Sequence, residues 1–169
     1  TQLAGLCQQH PDAVLVAGGT DLSLAITQSH QRFPVLVALS HVPELKQCYR
    51  QGERLIIGAA ASLTTVATFL EQHIPATKAL FSRFASLQIR NQGTVGGNLA
   101  NASPIGDCAP VLLAMDAQLI LQCGEQQRQL PLEEFFTGYR QTRLQPGEFI
   151  HSVIIPSVTL SQKISLHKV

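Results

Sequence analysis

Charge of either sign is scarce in this chain: twelve lysines and arginines against eleven aspartates and glutamates leave a net charge of +1, and 14% of its 169 residues are charged. No basic run is present that could follow a phosphate backbone, which argues against a nucleic-acid partner. No apolar stretch approaches the roughly 20 residues needed to cross a bilayer, so no membrane span is expected. The first residues lack the positive start, apolar middle and small-residue cleavage site of a secretory signal. The four cysteines, Cys7, Cys48, Cys108 and Cys123, stand singly with no C-x-x-C. That spacing fits neither a disulfide framework nor a zinc or iron–sulfur site, and it predicts reduced thiols in a cytoplasmic protein.

Catalytic constellations are missing as well. The six histidines (His10, His30, His41, His73, His151, His167) show no H-x-x-x-H spacing, so no metal site is expected. The serines lack the G-x-S-x-G elbow of a hydrolase nucleophile. Glu133-Glu134, ahead of Phe135-Phe136, reads as a solvated turn rather than a carboxylate pair. Neither the Walker loop nor the Rossmann glycine fingerprint occurs. No catalytic residue is assigned; chemistry, if any, belongs to a cofactor that the protein holds and tunes.

What is present is a pair of glycine motifs in a chain that is 45% hydrophobic and therefore able to bury a sizeable core. The first is Leu15-Val16-Ala17-Gly18-Gly19-Thr20-Asp21-Leu22; the second is Thr94-Val95-Gly96-Gly97-Asn98-Leu99. A glycine pair after an apolar run lets backbone N–H groups approach an anion, because no Cβ intervenes and positive φ costs little. Each pair alone is also explained by a tight turn. Together, with the polar loop 101–107 (Asn-Ala-Ser-Pro-Ile-Gly-Asp) and the hydroxyl and amide groups of Thr20, Thr94 and Asn98, they suggest a ligand with two linked anionic groups, such as a dinucleotide pyrophosphate.

Periodicity and punctuation predict the elements around these motifs. Residues 3–9 read as the end of an amphipathic helix stopped at Pro11, and 13–17 as a short strand buried on both faces. A helical turn over 22–27 with Thr20-Asp21 at its start, a strand at 35–39, a helical turn at 41–45 and a strand at 55–57 complete a small first lobe. Ser62 is placed to cap a helix over 63–72. A second helix is predicted over 77–89, with Leu80, Phe81, Phe84 and Leu87 on one face, so spacing makes Phe84 a core residue. Residues 90–93 break it. Asp107 reads as the cap of a helix over 108–115 or as an acceptor for ligand hydroxyls. Residues 118–122 and 127–131 form a hairpin around Gly124-Glu125, and 149–155 and 164–169 are further strands.

In the same order along the whole chain, the segments 15–22, Gln92-Gly93-Thr94-Val95-Gly96-Gly97-Asn98, Ser103-Pro104-Ile105-Gly106-Asp107 and Phe135-Phe136-Thr137-Gly138-Tyr139-Arg140-Gln141-Thr142 resemble the FAD-binding domain of the molybdopterin dehydrogenases, or molybdenum hydroxylases. The last of these, with Leu144-Gln145-Pro146-Gly147-Glu148, resembles the xanthine dehydrogenase type, in the form of the bacterial small subunit. The resemblance implies an α+β, two-lobed FAD-binding domain of the CO dehydrogenase flavoprotein kind: a small three-stranded parallel-type first lobe (1–58), then a larger mixed or antiparallel sheet with helices (59–169). It implies that Leu15, Val16, Ala17, Gly18, Gly19, Thr20, Asp21 and Leu22, with Thr94, Val95, Gly96, Gly97 and Asn98, surround the FAD pyrophosphate and adjoining ribose or ribityl groups. It further implies that Phe84 walls the flavin pocket, Asp107 hydrogen-bonds the cofactor, Ile150 lies against FAD and Lys168 is a basic residue near the flavin. Asn101 stands where some relatives carry threonine.

The activity so implied is the flavin step of purine hydroxylation, electrons passing from [2Fe-2S] clusters to FAD and on to NAD⁺. Molybdopterin and the clusters are expected in partner segments: an iron–sulfur domain and a molybdopterin-binding large subunit. The chain reads as an FAD domain cut at both ends, inactive in isolation. The alternatives are the FAD subunit of a CO- or nicotinate-type dehydrogenase, or a docking fragment without cofactor whose glycines only shape turns.

Overall fold

Short apolar runs between proline and glycine punctuation set the element order. The computed structural model describes residues 2–156 and 164–166. Its elements are α1 (Gln2–Gln9), β1 (Val14–Val16), α2 (Leu22–Thr27), β2 (Leu36–Ala38), a 3₁₀ turn (Pro43–Lys46), β3 (Cys48–Gln51) and β4 (Arg54–Gly58). The helices α3 (Leu63–His73), α4 (Thr77–Phe81), α5 (Leu87–Gln92), α6 (Val95–Ala100) and α7 (Cys108–Ala114) follow. The chain continues through β5 (Gln118–Cys123), β6 (Gln126–Pro131), α8 (Leu132–Phe135), β7 (Phe136–Gly138), β8 (Gln141–Thr142) and β9 (Phe149–Ile155).

The fold is α+β, as expected. β1 and β2 pair in parallel, Val14 opposite Leu36 and Val16 opposite Ala38. The large sheet is antiparallel, in the order β3-β4-β9-β5-β6. The strand expected to complete the first lobe therefore lies elsewhere: Leu55 and Ile57 pair with Ile155 and Val153 of β9. Those two side chains continue an apolar row across β4, β9 and β5, where Leu55, Ile57, Val153, Ile155, Leu119 and Leu121 are all fully buried. Full burial of an aliphatic side chain contributes about 1.5–3 kcal/mol, more than a two-stranded sheet open on one face can supply. For the same reason β1 is half-buried rather than buried on both faces, and Leu36 of β2 is exposed.

Helix α3 starts where predicted. Ser62 Oγ accepts from the Thr65 amide at 3.1 Å, and Leu63, Val66, Ala67 and Leu70 cover the large sheet. α1 lays Leu3, Ala4 and Cys7 against Val37, Leu39 and Phe149, joining the two sheets through a smaller core. The helix expected over 77–89 is two helices. Ser86 accepts from the Ile89 amide at 3.3 Å and begins α5, while Ala85 turns through the left-handed region at φ 41°. Arg90 of α5 donates to the Ala85 carbonyl at 2.9 Å and also to that of Phe84, pinning the turn.

Four further elements were not expected. β3 is an exposed polar edge strand, α8 takes in Glu133-Glu134, and β7 with β8 forms a small hairpin. The hairpin around Gly124-Glu125 forms as read, with Gly124 at φ 58°. Residues 164–166 have no regular structure, and 167–169 lie outside the described residues. The segment 144–148 is a clamp. Arg128 donates to Glu148 through Nε (2.7 Å) and Nη2 (2.8 Å), and the Gln145 amide donates to the same carboxylate at 3.0 Å. Burial pushes the Glu148 carboxyl up, but these bonds and the guanidinium charge outweigh it and hold the group below its ordinary value.

Candidate functional site

The first glycine motif leaves the C-terminal end of β1 as a loop, 17–21, entering α2. Gly18 is required by packing: a Cβ there would lie 1.9 Å from the Gln92 carbonyl oxygen and 2.9 Å from Gly93 Cα. Gly19 is required by conformation, at φ 70°; a Cβ there would make only ordinary contact, with Val16 Cγ1 at 3.9 Å. Among the described residues, the amides of Gly18, Gly19, Thr20 and Asp21 donate to no protein acceptor. Asp21 occupies the cap position of α2 but has helical torsions (φ −90°, ψ −41°), which carry its carboxylate away from the first turn. Its Oδ2 instead accepts from Asn101 Nδ2 at 3.0 Å.

The second motif is not a loop after a strand but a helix start. Thr94 is the cap of α6, its Oγ1 accepting from the Gly97 amide at 3.1 Å. The Val95 amide donates to Ala61 (3.3 Å), that of Gly96 to Ala59 (2.8 Å) and that of Asn98 to Thr94 (3.0 Å). Every amide from Val95 to Asn98 is thus already bonded within the protein. Gly96 is a packing glycine, since a Cβ would meet Ala59 at 2.7 Å, and Gly97 is exposed. Asn98 is half-buried, and its Oδ1 is inaccessible with no hydrogen-bond partner among the described residues, close to Gly106. A buried acceptor left so requires a donor.

The two motifs meet at a cleft of ≈ 280 Å³ that lies beyond the C-terminal ends of the parallel strands β1 and β2, the usual ligand crevice of a parallel sheet. Ala17 and Thr94 line it with Ser40, Lys46, Ser62, Thr65, Asn91 and Gln92. Sequence patterning singled out Ser62 only as a cap, Asn91 and Gln92 only as part of a helix break and, for Gln92, of a resembling segment, and Ser40, Lys46 and Thr65 not at all. The usable signal was weak: each follows a strand, a helix cap or a helix end. The Thr64 hydroxyl donates to Asn91 Oδ1 at 2.6 Å, and the Asn91 NH₂ donates to no acceptor among the described residues.

Other predicted residues fall apart from this cleft. Phe84 is 5% exposed, in the core, its ring centroid 6.0 Å from that of Phe81. Ile150 is buried in the main core on β9 beside a bulge, where His151 is the extra residue between Ile120 and Leu121 of β5. Burial lowers the pKa of that imidazole, against the opposing charge of Glu44. Asp107 precedes α7, but with φ −76° and ψ −22° its side chain makes no cap bond, so the cap reading is corrected. Lys168 lies outside the described residues. No group of His, Cys, Asp or Glu among them could hold a metal, and no helix is long and apolar enough to cross a membrane. Burial pushes the thiols of Cys48 and Cys108 up to about 11 and about 12.

These features fit a flavin dinucleotide: unbonded amides for phosphate oxygens, an orphaned acceptor for a ligand hydroxyl, and a cleft near the lower end of the ~300–1,000 Å³ range of ligand pockets, able to hold part of such a molecule.

Comparison with known proteins agrees. Residues 1–158 match the family model described as the FAD binding domain in molybdopterin dehydrogenase. The chain is 35% identical over 169 residues to the xanthine dehydrogenase of Emericella nidulans, covering 94% of this chain and 12% of that protein. It is 32% identical over 158 residues to the nicotinate dehydrogenase FAD-subunit of Eubacterium barkeri, covering 89% of this chain and 53% of that one. Among solved structures, carbon monoxide dehydrogenase from Hydrogenophaga pseudoflava superposes with a TM-score of 0.85 at 26% identity, over 92% of this chain and 55% of that chain. The chain thus spans about an eighth to about half the length of the relatives it matches.

Proposed function

This chain belongs to the family of FAD-binding domains of the molybdopterin dehydrogenases, and from that membership we propose that it is the flavin-holding electron-transfer domain of a xanthine-dehydrogenase-type enzyme acting on a purine. One observation carries the assignment of the site: Gly18 seats the first glycine loop on the backbone of Gln92 and Gly93, and Ala17, at the start of that loop, and Thr94, at the start of the second motif, line one cleft.

In this reading the amides of Gly18 to Asp21 donate to the pyrophosphate oxygens, where a backbone without Cβ groups allows close approach. Asn98 Oδ1 accepts from a hydroxyl of the ribityl chain or ribose. Thr94, with its oxygen lone pair engaged by the Gly97 amide, keeps its hydroxyl proton for the ligand. Asp107 takes a cofactor hydroxyl, and the core behind Phe84 and Ile150 excludes water from the flavin side. What the group supplies when bound is two-electron chemistry, electrons from [2Fe-2S] clusters elsewhere in the enzyme leaving as hydride to NAD⁺. The partners are then an iron–sulfur domain and a molybdopterin-binding large subunit.

The xanthine type is favoured by the segment 135–142 and by the 35% identity to xanthine dehydrogenase. A nicotinate- or CO-type enzyme is the second reading, supported by the FAD-subunit relative and the superposition. The test uses the intact enzyme that carries this chain. Flavin absorbance that remains with the protein through gel filtration, and turnover of hypoxanthine with NAD⁺ but not of nicotinate or CO, is expected. A protein that retains no flavin after loading overturns the FAD assignment; turnover of nicotinate or CO alone overturns the purine assignment.

A further inference from the structure

The proposed site has a charge to balance. A dinucleotide pyrophosphate brings two negative charges, and the glycine loops offer only neutral donors, with the carboxylate of Asp21 close by. Among the described residues lining the cleft, Lys46 is the one that carries a charge. It ends the 3₁₀ turn that follows β2, and its ammonium donates to the Ser40 carbonyl at 2.6 Å. That bond uses one of its three protons and restrains a long flexible side chain at the mouth of the crevice, beyond the C-terminal ends of β1 and β2. A cation restrained beside a cleft loses less freedom on meeting an anion than a free one would, and its attraction is weakened by salt.

Resting on the FAD reading above, we propose that Lys46 is a phosphate-binding residue of this site, the counter-charge to the cofactor's pyrophosphate, with Ser40 as the group that holds it in place. The lysine touches the ligand; the Ser40 carbonyl acts through it. Neither was marked by the glycine motifs, because Lys46 reaches the cleft from the turn after the neighbouring parallel strand.

The experiment titrates FAD into the deflavinated intact enzyme and its Lys46→Met and Lys46→Arg variants, following flavin fluorescence at low and high salt, with the melting temperature of each apo form measured alongside. Expected is a loss of affinity of about tenfold in Lys46→Met at low salt, in the range of a charge-assisted hydrogen bond. That gap should narrow at high salt, Lys46→Arg should stay within about threefold of the wild type, and the apo melting temperatures should agree. Lys46→Met binding FAD as tightly as the wild type overturns the proposal while leaving the FAD reading intact. A loss that is indifferent to salt, or that follows a fall in apo stability, also overturns it by making the residue a structural prop of the turn. Wild-type protein that binds no FAD removes the reading on which the proposal rests.

Discussion

The two glycine loops share a dipeptide and a neighbouring threonine, yet they handle their backbone in opposite ways. In the first, the amides from Gly18 to Asp21 have no protein acceptor among the described residues, and the loop hangs from a two-stranded sheet and a helix, α2, that buries nothing. In the second, the amides from Val95 to Asn98 are all bonded, to Ala61, Ala59, Thr94 Oγ1 and the Thr94 carbonyl, and Val95, Gly96 and Leu99 are buried. One loop is a set of donors and the other is the wall it leans on. In each pair the first glycine permits a backbone contact, Gly18 on Gln92 and Gly96 on Ala59, while a Cβ at the second would approach only side chains, Val16 at 3.9 Å from Gly19 and the Thr94 hydroxyl at 3.0 Å from Gly97. The Asp21–Asn101 hydrogen bond ties the two loops across their open side.

The largest test of this contrast is at the packing glycines. Gly18→Ala places a methyl group against the backbone of Gln92, which cannot rotate away, so a loss of about 3 kcal/mol in stability is expected together with loss of bound flavin. Gly19→Ala meets no neighbour within 3.4 Å and carries only the left-handed strain of φ 70°, about 1–2 kcal/mol. Urea unfolding midpoints and flavin content of the two variants measure the difference. Equal losses in both would erase the distinction between packing and conformational glycines.

A smaller effect is expected at the cap of the second loop. Thr94→Ala frees the Gly97 amide and removes about 1 kcal/mol, whereas Thr94→Ser retains both the bond and the stability. If the freed amide were equivalent to those of the first loop, FAD affinity in Thr94→Ala would rise. The opposite is expected, a fall, because the ligand loses the Thr94 hydroxyl and the helix start loses its cap, and titration of the two variants decides it.

The smallest effect is the absence of a reaction. Cys108 begins α7, behind the second loop, and burial raises its thiol to about 12, the nearby Asp107 carboxylate adding to the rise. Only the thiolate reacts, and its fraction grows as pH rises toward the pKa, so at pH 8 alkylation of Cys108 in the folded protein should be slower than in the unfolded chain by about three orders of magnitude. Mass spectrometry after iodoacetamide treatment checks it. Rapid labelling at pH 8 would mean that the wall opens, and the contrast between the loops would then be one of degree.

Several parts of this arrangement are legible from residues alone. The Ser62 cap with its helical spacing through Leu70 and the Gly124-Glu125 hairpin follow from local pattern, because neighbours in sequence supply their hydrogen bonds, and the strands β1 and β2, though partners 22 residues apart, are marked by their apolar runs. The segment Leu55-Ile56-Ile57 could not be assigned to a sheet in this way, since its apolar character suits either one and its partner, Ile155 to Val153, lies at the other end of the chain. β3 escaped notice because Cys48-Tyr49-Arg50-Gln51 is polar and exposed, as an edge strand can be. α6 escaped notice because Gly96-Gly97 reads as a helix breaker, and the capping by Thr94 and the close contact with Ala59 override that propensity.

The same division runs through the site. That backbone must pass close to something at residues 18–19 and 96–97 was written in the glycines, which are the residues that allow it. What each loop passes close to, another backbone or a ligand, depends on acceptors brought from far along the chain, and a buried amide bonds whichever acceptor folding delivers. Ala59 and Ala61 reach the second loop and occupy its donors; no protein acceptor reaches the first among the described residues. Two motifs that share a glycine pair therefore became a donor cradle and its support, and that difference arose from tertiary contacts with residues far along the chain.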